Sequence, residues 1–181
     1  TGAGVWLKIE DFDGGINSGQ LAVAGPSMVQ PIGGPDVRDG QWHHAAVSYD
    51  ASTAQVTIYL DGQAIQSVGD WVPDIQTSHI NLGAVNPNSL WRFNGAMFDA
   101  RFYDTARSAA DIHSDMQSLP NGDEEGLVAA FPLTEADGNS LVDVTGNYNP
   151  ATFLSPTFVS TSDFDLIEDG GLSGRVHIAD F

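Results

Sequence analysis

The chain has 181 residues, 41% of them hydrophobic, enough for one domain with a sizeable core, and no apolar run approaches the roughly 20 residues that a membrane-spanning helix needs. Twenty-four acidic residues against six basic ones give a formal net charge of −18. Such a surface repels nucleic-acid phosphates and anionic lipid headgroups, and it suits divalent cations, neutral polar ligands such as sugars, or a salty medium that screens self-repulsion.

The opening Thr1-Gly2-Ala3-Gly4 has no basic-then-apolar leader and reads as the interior of a longer chain. The absence of cysteine excludes disulfides, thiolate catalysis and cysteine zinc sites, and decides nothing about compartment. Most of the chain then alternates on a period of two, with Gly, Pro, Asn or Asp at intervals, the pattern of an antiparallel sandwich. Val5–Ile9 reads as a strand, Asp11–Gly19 as a polar loop, and Gln20–Ala24 as a second strand ended by Pro26. Pro31 and Pro35 fall in an irregular connection. Trp42–Tyr49 and Gln55–Leu60 form the clearest hairpin, joined by Asp50-Ala51-Ser52-Thr53, with Val56, Ile58 and Leu60 on one face. Asp61-Gly62 makes a tight turn into Gln63-Ala64-Ile65. Further strands are expected at Ile80–Ala84, Ala96–Tyr103, Leu127–Leu133, Ala151–Leu154 and Arg175–Phe181. One short helix is predicted near 108–117, where Ser108 and Asp111 make a capping box and Ile112 and Met116 share a face. Residues 121–126 form an acidic turn, and 155–174 are loop-rich.

Three segments together resemble the laminin-G-like, concanavalin A-like jelly-roll family. Asp39-Gly40-Gln41-Trp42-His43-His44-Ala45-Ala46-Val47-Ser48-Tyr49-Asp50, continuing to Ile58-Tyr59-Leu60-Asp61-Gly62, looks like the family's W-H-H-V-A … Y-V-D-G hairpin and is the most specific match. Phe93–Asp104 with Ala106–Ile112 is similar to its closing strand and short helix. Leu127–Leu133 with Asp143-Val144-Thr145-Gly146-Asn147-Tyr148-Asn149 looks like the strand and D-x-S-G-N-x-N loop that open such a domain. The resemblance implies an all-β antiparallel β-sandwich (jelly roll). The opening-type segment follows the closing-type one, so residues 127–154 are expected to fold back and complete a single domain over 1–181; a second, truncated module would be too small to stabilise itself.

The resemblance also implies a structural calcium near Asp143, Asn147 and Asn149, which offer hard oxygens in a Gly-containing loop; an Asx-turn that satisfies its own backbone is the alternative reading. Asp99 lies one residue after the position where the family often has a calcium-holding aspartate, here Phe98. It is read either as reaching that metal or as pairing with Arg101. Asp11, Asp13 and Asn17 form a second oxygen-rich loop, without the closing Glu of an EF-hand. Asn86, Asn88 and Arg92 surround Trp91, and Trp71 and Tyr148 are also read as loop aromatics. A flat ring stacks on a sugar while amides and carboxylates bind its hydroxyls, although loop tryptophans also cap a sandwich's open end. His44 is expected to be buried and hydrogen-bonded, His43 exposed. No Ser or Cys nucleophile pattern accompanies them. The acids of Asp163-Phe164-Asp165-Leu166-Ile167-Glu168 belong to an acidic tail rather than a glucanase pair.

The expectation is an extracellular carbohydrate-binding, lectin-like module, calcium-assisted and not an enzyme, acting as a monomeric part of a larger adhesin or cell-surface protein. Its partner would be a glycan or polysaccharide, with no nucleic acid and no membrane insertion. A spacer or protein-binding module without a sugar site, and an accessory domain of a polysaccharide-degrading enzyme, are the alternatives on the same fold.

Overall fold

The computed structural model describes residues 6–10, 19–24, 32–72, 81–83, 93–134, 140–147, 151–152 and 175–178. In chain order the elements are β1 (Trp6–Ile9), β2 (Leu21–Ala24), β3 (Ile32–Gly33), β4 (Trp42–Asp50), β5 (Gln55–Leu60), β6 (Gln63–Val68), β7 (Gly95–Met97), β8 (Ala100–Tyr103), α1 (Ala109–Asp115), β9 (Leu127–Phe131), β10 (Ser140–Leu141), β11 (Ala151–Thr152) and β12 (Arg175–Ile178). The fold is antiparallel β with one short helix among the described residues. One sheet has the order β1-β2-β3 and another the order β6-β5-β4-β12-β7, while β8 pairs with β9 and β10 with β11.

The alternation in β5 produces the core. Val56, Ile58 and Leu60 point into an apolar cluster with Leu21 and Val23 of β2, Val37 and Trp71, so the three-stranded and five-stranded sheets share one core. At about 1.5–3 kcal/mol for each large apolar side chain fully withdrawn from water, this cluster is the main hydrophobic contribution of the described fold. The other face of β5 is covered as well: Thr57 and Tyr59 are buried, and the Thr57 hydroxyl bonds Ser67 of β6 at 2.8 Å. A second cluster joins Ala129 and Phe131 of β9 to Leu141 of β10, with Phe102 and Leu133 against it.

Turn chemistry matches residue type. Asp61 and Gly62 both take positive φ, 50° and 76°, as a two-residue hairpin needs if its twist is to match the flanking strands. Asp50 Oδ1 accepts the Ser52 N–H at 2.8 Å and its hydroxyl at 2.7 Å, closing the β4–β5 loop. In α1, Ser108 and Asp111 cap each other's backbone as expected, and Ile112 is the residue the helix buries.

Two expectations are corrected. The strand over Ala96–Tyr103 is broken at Phe98-Asp99, where Asp99 has φ 58°. The break sends β7 to β12 and β8 to β9. At 81–83, within the expected strand Ile80–Ala84, the chain is irregular; Gly83 instead accepts the Phe93 N–H at 2.7 Å. The strand expected over Arg175–Phe181 is found at Arg175–Ile178. β12 lies between β4 and β7, with Val176 opposite both His43 and Met97.

Gly122 and Gly146 both have positive φ, 96° and 70°, but a Cβ on Gly122 would run into the Val144 carbonyl, whereas nothing lies within 4 Å of one on Gly146. Gly122→Ala is expected to destabilise by about 2–4 kcal/mol and Gly146→Ala by about 1–2 kcal/mol, since only the first adds a backbone clash to the left-handed strain. Urea unfolding of the two variants checks the order.

Candidate functional site

The described part of the expected metal loop is built on β9. Ala130 gives both backbone groups to it: its N–H donates to Asp143 Oδ1 at 3.0 Å, and its carbonyl accepts the Val144 N–H at 2.9 Å. The same Asp143 oxygen also accepts the Thr145 N–H at 3.0 Å and hydroxyl at 2.8 Å. Asn147 donates its N–H to Thr145 Oγ1 at 3.2 Å. Asp143 is buried, and its Oδ1 organises a hydrogen-bonded turn. A carboxylate oxygen facing three donors has little left for a cation, so calcium at this loop would need further oxygens from Asn147, Asn149 and backbone carbonyls. Asn149 lies outside the described residues. Among the described residues, no three His, Cys, Asp or Glu side chains group closely enough to hold a metal ion.

Asp99 is in a different setting. Its side chain is fully buried and Arg101's is 7% exposed. Arg101 donates from Nε to Oδ1 at 2.9 Å and from Nη2 to Oδ2 at 2.6 Å. This fork is the strongest geometry for a carboxylate–guanidinium pair, and a dication beside it would meet a positive charge. The pairing with Arg101 is the reading that this geometry favours for Asp99. Arg101 also donates to the Ser118 carbonyl, and its Nη1 lies 3.7 Å from Asp115 of α1. Arg107 takes the same carboxylate at 2.9 Å and lies 4.3 Å over the Tyr103 ring. Burial works against the charge on Arg101, but hydrogen bonding and attraction to Asp99 outweigh it and raise its pKa.

His43 is not simply exposed. Its side chain is 14% exposed and held between two acids, Nδ1 2.9 Å from Asp61 Oδ2 and Nε2 3.1 Å from Asp39 Oδ1. Asp61 also accepts the His44 N–H at 2.9 Å and donates its own N–H to the His44 carbonyl at 2.8 Å. Burial lowers the imidazole pKa, but the hydrogen bonds to Asp61 and Asp39 and their charges raise it overall. His44 is buried, as expected. Trp71 is corrected from loop aromatic to core: it is 1% exposed and meets Tyr49 edge-on at 5.7 Å. Asp11, Asp13, Asn17, Asn86, Asn88, Trp91, Arg92 and Tyr148 lie outside the described residues. The acids of 163–168 do too.

Residues 6–113 match the family described as Concanavalin A-like lectin/glucanases superfamily. The chain belongs to that superfamily. The match contains the β4–β5 hairpin, His43, Asp61 and the Asp99–Arg101 pair, and ends within α1. A crystal structure of a Bacteroides ovatus protein described as a "putative carbohydrate binding protein" superposes on this superfamily member with a TM-score of 0.69 at 26% sequence identity, covering 84% of this chain and 45% of that one. The chain thus spans less than half the length of that relative. An S-layer domain-containing protein from Clostridium thermocellum is similar at 20% identity with a TM-score of 0.39, over 62% of this chain and 63% of its own. No curated protein matches the sequence.

The histidine clasp missed in the sequence has a visible signal: Asp39 stands four positions before His43, and Asp61 opens the turn after the partner strand. Because the folded-state pKa of His43 lies above its ordinary value of 6.5, its stabilisation is complete below that pH and is lost as pH rises through the raised value. Wild type is therefore expected to lose more melting temperature than His43→Gln between pH 6 and pH 9. Equal losses would show that the clasp contributes nothing. For the buried pair, Arg101→Met is expected to cost about 3–5 kcal/mol, because it strips the guanidinium from a buried carboxylate. Adding Asp99→Asn should recover part of that loss in a urea-denaturation double-mutant cycle.

Proposed function

We propose that this domain is a non-catalytic carbohydrate-binding module, assisted by calcium and displayed outside the cell as part of a larger adhesin or surface protein. The observation that carries the reading is the superposition, at a TM-score of 0.69 and 26% identity over 84% of the chain, on a protein described as a "putative carbohydrate binding protein", within a superfamily of lectins and glucanases. In this reading the loops around Asp11, Asp13 and Asn17 and around Asn86, Asn88 and Trp91 form the sugar-binding rim. Trp91 supplies a flat apolar face, and the carboxylates and amides accept and donate to hydroxyls. Calcium, where bound, would fix the Asp143–Asn149 loop through Asp143, Asn147 and Asn149. Residues 127–154 belong to the same domain in this proposal, supported by the pairing of β9 with β8.

The non-catalytic part is supported by the engagement of the buried carboxylates. Asp99 is held by Arg101 and Asp143 by turn donors, whereas glycoside hydrolysis needs two carboxyls poised on either side of a bond. A glycan array probed in calcium and in chelator tests the whole reading. Binding to a restricted set of glycans is expected, weakened by chelator together with a lower melting temperature. Trp91→Ala is expected to weaken binding about tenfold, the equivalent of roughly 1.4 kcal/mol. Binding to no glycan in either medium overturns the carbohydrate reading, and binding and melting unmoved by chelator remove calcium from it.

A further inference from the structure

The four basic side chains described in the structure are all engaged with carboxylates. Lys8 Nζ lies 2.7 Å from Glu10 Oε2. Arg38 makes a fork on Asp36, with Nε to Oδ1 at 2.9 Å and Nη2 to Oδ2 at 2.7 Å, and Asp36 is held at a pKa of about 2 by it. Arg101 is taken by Asp99 and Asp115, and Arg107 by Asp115. The other two bases of the sequence, Arg92 and Arg175, stand against 24 acidic residues in the whole chain.

We infer that the ligand of this domain is an uncharged glycan, one that carries no sulfate, phosphate or uronate groups. The inference rests on the carbohydrate reading above and narrows it. Anionic saccharides are recognised by guanidinium forks and ammonium groups free to accept a second oxyanion partner. At these four described bases a sulfate or uronate would have to displace an intramolecular carboxylate. Arg101 and Arg107, with side chains 7% and 21% exposed, are also largely withdrawn from solvent. A polyanion would further approach a body of net charge −18, whose repulsion reaches about 8 Å at physiological ionic strength and further in dilute buffer. Neutral hydroxyls meet neither obstacle. A hydroxyl that donates to an ionised carboxylate gains more than one that donates to a neutral acceptor, so an acidic rim favours a polyol.

Affinity electrophoresis of the whole chain tests this, in gels containing a neutral series (mannan, galactomannan, dextran, laminarin), an anionic series (heparin, alginate, polygalacturonate) or a cationic polymer (chitosan). Each gel is run at low and moderate NaCl, with calcium and with chelator. The expected result is retardation by at least one neutral polymer that changes less than twofold with salt, and none by the anionic series. Retardation by heparin, alginate or polygalacturonate in any medium overturns this inference and leaves the carbohydrate reading standing. So does retardation by chitosan alone that NaCl abolishes. Retardation by no polymer in any gel, together with an empty glycan array, overturns the carbohydrate reading and this inference with it.

Discussion

The arrangement of the described strands turns on a single buried guanidinium. Arg101 sits in β8 with its side chain almost closed to solvent, and a charge in that position is tolerable only if its hydrogen bonds are filled. Asp99 takes Arg101's Nε and Nη2 donors, and the chain turns through a left-handed conformation at Asp99. Asp is among the few residue types that accept that conformation readily. The same turn ends β7 and re-aims β8. One expected strand thereby becomes two, which serve different sheets.

Arg101 also reaches beyond its strand. Through Asp115 and the Ser118 carbonyl it ties β8 to the end of α1 and to the segment that follows. An acid in the last turn of a helix opposes the helix dipole, and Asp115 is compensated by Arg101 and Arg107 together. Glu124 closes the next turn by accepting the N–H groups of Asn121 and Gly122 at 2.9 and 3.0 Å. Asp143 closes the one beside it. Carboxylates thus act as backbone acceptors along this side of the molecule, and an acidic composition that would otherwise only repel itself holds the turns in shape.

Much of this was legible in the sequence wherever a local rule decides. The alternation of Val56, Ile58 and Leu60, the Asp61-Gly62 turn and the Ser108–Asp111 cap all depend on residues within a few positions of one another, and each is found as read. What was not legible depends on partners far away in the chain. Nothing in Phe98-Asp99 itself announces a break, because it shows only once β7 has paired with β12 and β8 with β9. Trp71 is flanked by Asp70 and Pro73 and reads as a loop residue, yet Tyr49, Val56 and Ile58 provide an apolar place for its ring. His43 looked solvent-facing from the strand pattern, since Asp39 and Asp61 meet it only after β4 and β5 pair. Of the candidate site, Asp99, Asp143 and Asn147 could be placed among named partners, and the remaining positions lie outside the described residues.

The central place of β12 has a consequence for how the molecule is made. During synthesis β4, β5 and β6 emerge early and can zip together by short-range pairing, but the inner edge of β4 waits for a strand that the ribosome delivers more than a hundred residues later. Until then the nascent sheet carries an open row of amide and carbonyl groups on a partly apolar ribbon, the kind of edge that recruits other chains. Like charge spread along the polypeptide opposes the meeting of two such open edges until β12 closes the gap.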